Sequence, residues 1–460
     1  SVYEPRGHKY IIDFEADPVP KITYRVGEIT FTKSILLVPD SDQVMIRFEL
    51  VKAPAKVRLL LTPFLAFRDI HALTDENPNA RTDGWEIPNG MSFNLYDGFP
   101  DLNMQFNTKD VSFVTTPCWY KGVTYSDEYR RGFACKEDLY VPGHFETEMK
   151  PGDTIVFSAS VGLTTPSGLK RKFDSYVAKA ARITTYHEQL VHCADLLKQD
   201  RGGHKMITAG FSWLYTGLLR ETLEALPGLT LYANGDKAEF EEILDNLIAD
   251  NQDRLFHRTT QVDSPLTLAD TLSRYIEFGA DPKAVWKKYG QTVKGILESY
   301  LPGRRGEVAM QPNGLLWAQL DHWALSWMNA YIDGEPVTER PGYQVETNAL
   351  WFRSILFAVT MEREYSKKDS AFLKEWSHIL DLVRENYQKT FWNARAGYLA
   401  DYVDNAGQHL EVRPNMLCAL LGDEMPVDAE VARKVLQVID NELVTRRGIR
   451  TLSPRHAEYK

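Results

Sequence analysis

A chain of 460 residues is too long for a single hydrophobic core, since domains run to about 100–200 residues, and at least two domains are expected. Its composition, 43% hydrophobic and 25% charged, is that of an ordinary globular protein. A formal net charge of -10, from 53 basic and 63 acidic residues, with no basic stripe, Gly-rich phosphate loop or zinc-like Cys/His spacing, argues against a nucleic-acid partner, a nucleotide cofactor or a metal.

Cys118, Cys135, Cys193 and Cys418 are too widely spaced to set a disulfide framework and read as buried free thiols. No apolar run approaches the roughly 20 residues of a membrane span, and no signal peptide opens the chain. A cytoplasmic protein without a membrane partner is expected. Because the first residue is Ser1 rather than Met, a processed periplasmic form stays open. Nothing in the sequence bears on oligomeric state.

The first third reads as strands. In residues 21–38, Ile22, Tyr24 and Val26 alternate up to Gly27-Glu28, and Ile29 and Phe31 resume the period, which predicts a hairpin. Val44, Ile46, Phe48 and Leu50 repeat the pattern. KVRLLLTP at 56–63 and TIVFSASVG at 154–162 add further strands, the second after a Pro-Gly-Asp turn. So many short strands with polar breaks predict a β-sandwich over 1–170. The loop AFRDIHALTDENP at 66–78 reads as a solvated connection.

From Phe173 the period becomes helical. Tyr176, Val177, Ala180, Ile183, Tyr186, Leu190 and Cys193 can share one face, and residues 171–203 are read as a helical linker. Beyond it, Phe240, Ile243, Leu244, Leu247 and Ile248 form one apolar stripe, and Phe372, Trp376, Ile379, Leu380 and Val383 another. Residues 266–278, 282–301, 349–364 and 431–443 are further helix candidates.

The stretch 311–351 is the most informative. Trp317, Trp323 and Trp327 stand among Asp321, His322, Asn329, Asp333 and Glu335, followed by Arg340, Glu346 and Asn348. A pyranose offers a flat C–H face that stacks on indole and a rim of hydroxyls that needs carboxylate, amide and guanidinium partners. A long interhelical connection plugged by indoles is the structural alternative.

PNGLL, LSWMNA, GEPVTERPG and VETNALWF, in this order, resemble the bacterial and archaeal glycogen debranching enzymes, the amylo-α-1,6-glucosidase family. The loop at 66–78 is similar to a segment of that family's amino-terminal β-domain. FSWLYTGLLRETLEALPGLTL at 211–231 resembles the family's PWFGRWGRDTFIALPGL, which puts Trp213, Arg220 and Glu221 at sugar-site positions. QVDSPL resembles a segment whose Asp binds substrate, here Asp263, although an Asp just before a helix more often caps it. FWN, GYLADYVD and VRPN place Arg413 and Asn415 on the cleft, with Trp327, Arg340, Glu346 and Asn348 from the central stretch.

The resemblance implies an (α/α)6 barrel of the six-hairpin glycosidase type over 204–460. The helix candidates number fewer than such a toroid needs, and the chain enters the β-domain late and stops at GIRTLSPRHAEYK. A piece of a longer protein, incomplete at both ends, is expected.

The family's second motif usually reads TWMDA, with the Asp as general acid. Here Asn329 stands in that place, and an amide has no proton to give a leaving oxygen. The resemblance implies inverting hydrolysis of α-1,6-linked glucose stubs on glycogen-like glucans, with the catalytic base unplaced. Asp321, Glu335 or Glu346 are candidates to compensate for Asn329. The alternatives are an α-glucan-binding relative impaired in catalysis and another (α/α)6 glucosidase, trehalase-like, which the VTERPG and VETNALW wording disfavours.

Overall fold

The computed structural model describes residues 6–39, 41–180, 182–210, 214, 217–258, 260–366 and 370–459. The chain forms two compact units, Ser1–Gln189 and Leu190–Lys460.

The first unit is built on β1 (Ile11–Glu15), β2 (Lys21–Val26), β3 (Ile29–Leu37), β4 (Gln43–Lys52), β5 (Val57–Leu61), β6 (Gly84–Ile87), β7 (Gly90–Phe93), β8 (Leu102–Phe106), β9 (Ser112–Thr124), β10 (Lys136–Met149) and β11 (Thr154–Ser160). They make an eight-stranded sheet in the order β1-β2-β3-β4-β11-β8-β7-β6 and a three-stranded sheet β5-β10-β9. The expected hairpin is β2–β3, turned at Gly27, whose φ of 60° suits the first position of a two-residue loop. Leu50, Phe93 and Phe106 of the large sheet share a core with Tyr140, Phe145 and Met149 of the small one. Phe106 meets Phe145 at 5.0 Å between ring centroids.

The short helix α1 (Ser126–Arg130) lies between β9 and β10. On its other face the large sheet buries Met45 and Val156 against Leu169 and Phe173 of α2 (Leu169–Ala180). The start of the stretch read as a linker therefore packs on the sheet. The single helical face expected from Phe173 onward is not formed. The helix stops after Ala180 and a new one, α3 (Tyr186–Leu197), begins. The cause is a capping box: the Glu188 amide donates to Thr185 Oγ1 at 3.1 Å, while the Glu188 carboxylate accepts the Thr185 amide at 2.9 Å. Tyr186 and Leu190, placed by periodicity on a buried face, are exposed.

Helices of the second unit fall into two rows. One row holds α4 (Leu219–Leu226), then, past α5 (Lys237–Asp250) and α6 (Gln252–Phe256), α7 (Thr267–Glu277). After α8 (Pro282–Ser299) it continues with α9 (Val345–Tyr365) and, after α10 (Ala371–Phe391), with the 3-10 segment Pro414–Leu420. Each member packs on the next and on its own partner in the other row, namely α5, α8, α10 and α11 (Ala429–Glu442). Apolar residues of α9 are spread around the helix, and most of its positions up to Val359 are buried. By contrast α10 buries one stripe, Leu373, Trp376, Ile379, Leu380 and Val383.

Within each pair the connection is short. The connections leading back to α7, α9 and Pro414–Leu420 are long, so they gather at the amino-terminal ends of the first row. Two of them are stitched together where Tyr343 and Gln344 pair with Val403 and Tyr402. No described helix is long and apolar enough to cross a membrane, and no metal-ligating cluster occurs among the described residues.

The thiols depart from expectation. Cys118 and Cys193 are exposed, Cys118 because β9 is the outer strand of the small sheet. Burial pushes the Cys418 thiol up to about 12, so it is protonated and inert at neutral pH.

Candidate active site

The long connections and the first turns of the first helical row meet in one buried polar network. Arg220, in the first turn of α4, donates from Nη2 to Asp263 Oδ1 at 2.6 Å. The other Asp263 oxygen accepts the Trp327 amide at 3.0 Å. Trp327 in turn donates from its indole Nε1 to Asn415 Oδ1 at 2.9 Å, and Asn415 Nδ2 donates to Asp401 Oδ1 at 2.7 Å. Asp401 Oδ2 stands 2.7 Å from Arg340 Nε and 3.7 Å from Arg413 Nε. Arg340 clasps Glu346 with two nitrogens at 2.5 and 2.7 Å, and reaches Ser326 Oγ at 3.2 Å and the Asp401 carbonyl at 3.0 Å.

Three guanidinium groups, Arg220, Arg340 and Arg413, thus face three buried carboxylates, Asp263, Glu346 and Asp401. Charges this deep persist only when paired and hydrogen-bonded. Burial works against the Arg340 charge, but Asp401 and Glu346 more than offset it, and its pKa is raised. Burial pushes the Asp263 carboxyl up, against the pull of Arg220. Arg340 also holds a left-handed φ of 52° before Pro341, a conformation that costs about 1–3 kcal/mol in a bulky residue. Its fork of hydrogen bonds over-determines that backbone.

Seven residues expected at the site meet in this network: Arg220, Asp263, Trp327, Arg340, Glu346, Arg413 and Asn415. Asp263 does not cap the following helix, because both its oxygens are taken by Arg220 and Trp327. Asn348 does not join. Its amide binds the Leu316 N–H and C=O at 2.7 and 3.0 Å and the Gln344 carbonyl at 3.0 Å, clamping the strand Leu316–Ala318 to α9. Glu221 lies at the edge, its side chain 40% exposed and 3.9 Å from Arg220 Nη1. Trp213 falls outside the described residues.

Asn329 is exposed, two residues beyond Trp327, with its backbone N–H on the Trp327 carbonyl at 3.0 Å. Trp327, tethered through its backbone amide and its indole nitrogen, is 37% exposed and makes a fixed platform beside Asn329. A turn along α4 from Arg220, loss of hydration pushes the Glu224 carboxyl up, opposed by Arg220. The residues missed by sequence reasoning are Asp401 and Ser326. Asp401 stands inside the GYLADYVD motif, but a lone Asp among turn residues carries no periodic signal.

The chain is similar to a bacterial glucoamylase complexed with acarbose, at 13% identity and a TM-score of 0.59, over 97% of this chain and 72% of that one. A GH78 family rhamnosidase of Bacillus sp. GL1 aligns at 13% identity and a TM-score of 0.41, over 91% of this chain and 39% of that one. Residues 1–156 match the glycogen debranching enzyme N-terminal family, and residues 188–460 match the amylo-alpha-1,6-glucosidase family. The chain belongs to the amylo-alpha-1,6-glucosidase family. No curated protein matches its sequence.

Proposed function

We propose that this chain is a glycoside hydrolase-type protein that binds the α-1,6-linked glucose stubs of glycogen-like glucans, its second unit taken as an (α/α)6 barrel from residue 204 and its first as a β-sandwich. The observation that carries this reading is the tethered Trp327 ring beside Asn329, at the edge of a buried network of ion pairs. Arg220, Asp263, Arg340, Glu346, Arg413 and Asn415 hold the shape of the site, while Trp327 stacks on the sugar.

Inverting hydrolysis needs one carboxyl to protonate the leaving oxygen and a second, roughly 6.5–9.5 Å away, to activate water. The first role falls at Asn329, which cannot fill it. Among the expected substitutes, Glu346 has both oxygens engaged by Arg340. Glu335 is committed to exposed His322 at 2.9 Å, and Asp321 is exposed. Binding without rapid turnover is therefore the form of the proposal favoured here. General acid catalysis is worth about 10²–10⁴-fold, so a slow reaction can survive its loss.

Calorimetry with maltoheptaose or a limit dextrin should show binding by the unmodified chain, and Asn329→Asp should raise glucose release while leaving affinity unchanged. Absence of α-glucan binding would sink the reading. Rapid glucose release that Asn329→Asp does not change would place the acid elsewhere, with Glu224→Gln the next variant to measure.

A further inference from the structure

Beside the network lies a cavity of about 640 Å³, within the range of roughly 300–1,000 Å³ usual for ligand pockets. Its apolar wall is Trp323, Leu320 and Leu218, and its polar wall includes Gln261, Arg258 and Glu307. The position is fixed by the chain. Gln261 is two residues from Asp263, Trp323 is four from Trp327, and the two segments are joined where the Val262 amide donates to the Leu325 carbonyl at 2.9 Å.

Trp323 is 46% exposed, yet it is braced. Its ring meets Tyr331 edge-on at 6.4 Å, and the Tyr331 hydroxyl accepts the Ala324 amide at 2.9 Å. The His322 amide donates to Glu339 Oε1 at 3.0 Å, which ties the segment to the far side of the 331–336 hairpin. An exposed indole held in place next to guanidinium, amide and carboxylate groups is the chemistry that takes a pyranose ring. A second cavity, of about 470 Å³, shares Leu218, Asp253 and Arg254 with the first and runs on toward Asn246 and Lys205.

We infer that the Trp323 cavity binds further glucosyl units of a chain whose terminal sugar stacks on Trp327, so that Trp323 selects oligomeric and branched α-glucans over disaccharides. This rests on the proposed function. The second cavity gives a longer chain room beyond the first.

The test is calorimetry on the full chain with maltose, maltotriose, maltopentaose and maltoheptaose. Affinity of the unmodified protein should rise with chain length, and Trp323→Ala should remove roughly tenfold from the longer ligands while leaving maltose unchanged. Trp323→Phe should recover part of the increment, and should Trp323→Ala misfold in circular dichroism, Trp323→Gln replaces it. An affinity that does not rise with length, or a rise that survives loss of the indole, overturns the inference and leaves the Trp327 site standing. Failure of the unmodified protein to bind any of the four overturns the proposed function itself.

Discussion

Replacing Arg340 with methionine would leave Glu346 and Asp401 buried without their shared counter-charge. Removing one partner of a buried pair costs about 3–5 kcal/mol, and here Glu346 loses its guanidinium while Asp401 keeps only Arg413, at 3.7 Å. Denaturant unfolding of Arg340→Met should show a loss of that size, with binding of maltoheptaose lost as well. A cost below about 1 kcal/mol would mean that the ion pairs do not hold the loops. At this scale the sequence was legible only where a motif marks the residue. VTERPG and VETNALW mark Arg340 and Glu346, and the two side chains pair in the buried network. Asn348, in the same motif, stands outside the network, because its partners are backbone groups of Leu316, a contact made only by folding. Asp263 resembled a helix cap in sequence, and only the approach of Arg220 shows where its carboxylate goes.

Elements were easier to read than their ends. The stripes beginning at Phe240 and Phe372 became α5 and α10, and the alternation around Gly27 became β2 and β3. Periodicity failed where a local signal outranked it, at Thr185-x-x-Glu188. There the carboxylate accepts the Thr184 and Thr185 amides at 2.9 Å each, and these bonds hold the Glu188 pKa at about 2. A lowered carboxyl pKa stabilises the cap above the ordinary glutamate range, and the benefit fades as pH falls toward 2. In Glu188→Gln, hydrogen exchange across 184–190 should be faster than in the unmodified chain at neutral pH, with the ratio of rates shrinking toward unity between about pH 5 and pH 2. A ratio independent of pH would assign the cap to Thr185 alone.

At the scale of the molecule, the second unit separates the connections that carry the candidate site from the short links. Site residues lie on long connections or first turns, whereas the short links at 278–281 and 421–428 follow the carboxyl ends of the first-row elements. Hydrogen exchange with saturating maltoheptaose should therefore slow at 257–263, 318–344 and 401–415 and stay unchanged at the short links. Protection spread evenly over both ends would contradict a site at one end. Which loops meet was not visible in the sequence, since that depends on the order in which helices pack. The same division makes the protein suited to immobilisation. Asp423, exposed in the last short link, could carry a single engineered cysteine once the exposed Cys118 and Cys193 are replaced. A bead or electrode coupled there would hold the second unit by a short link and leave its long connections uncoupled.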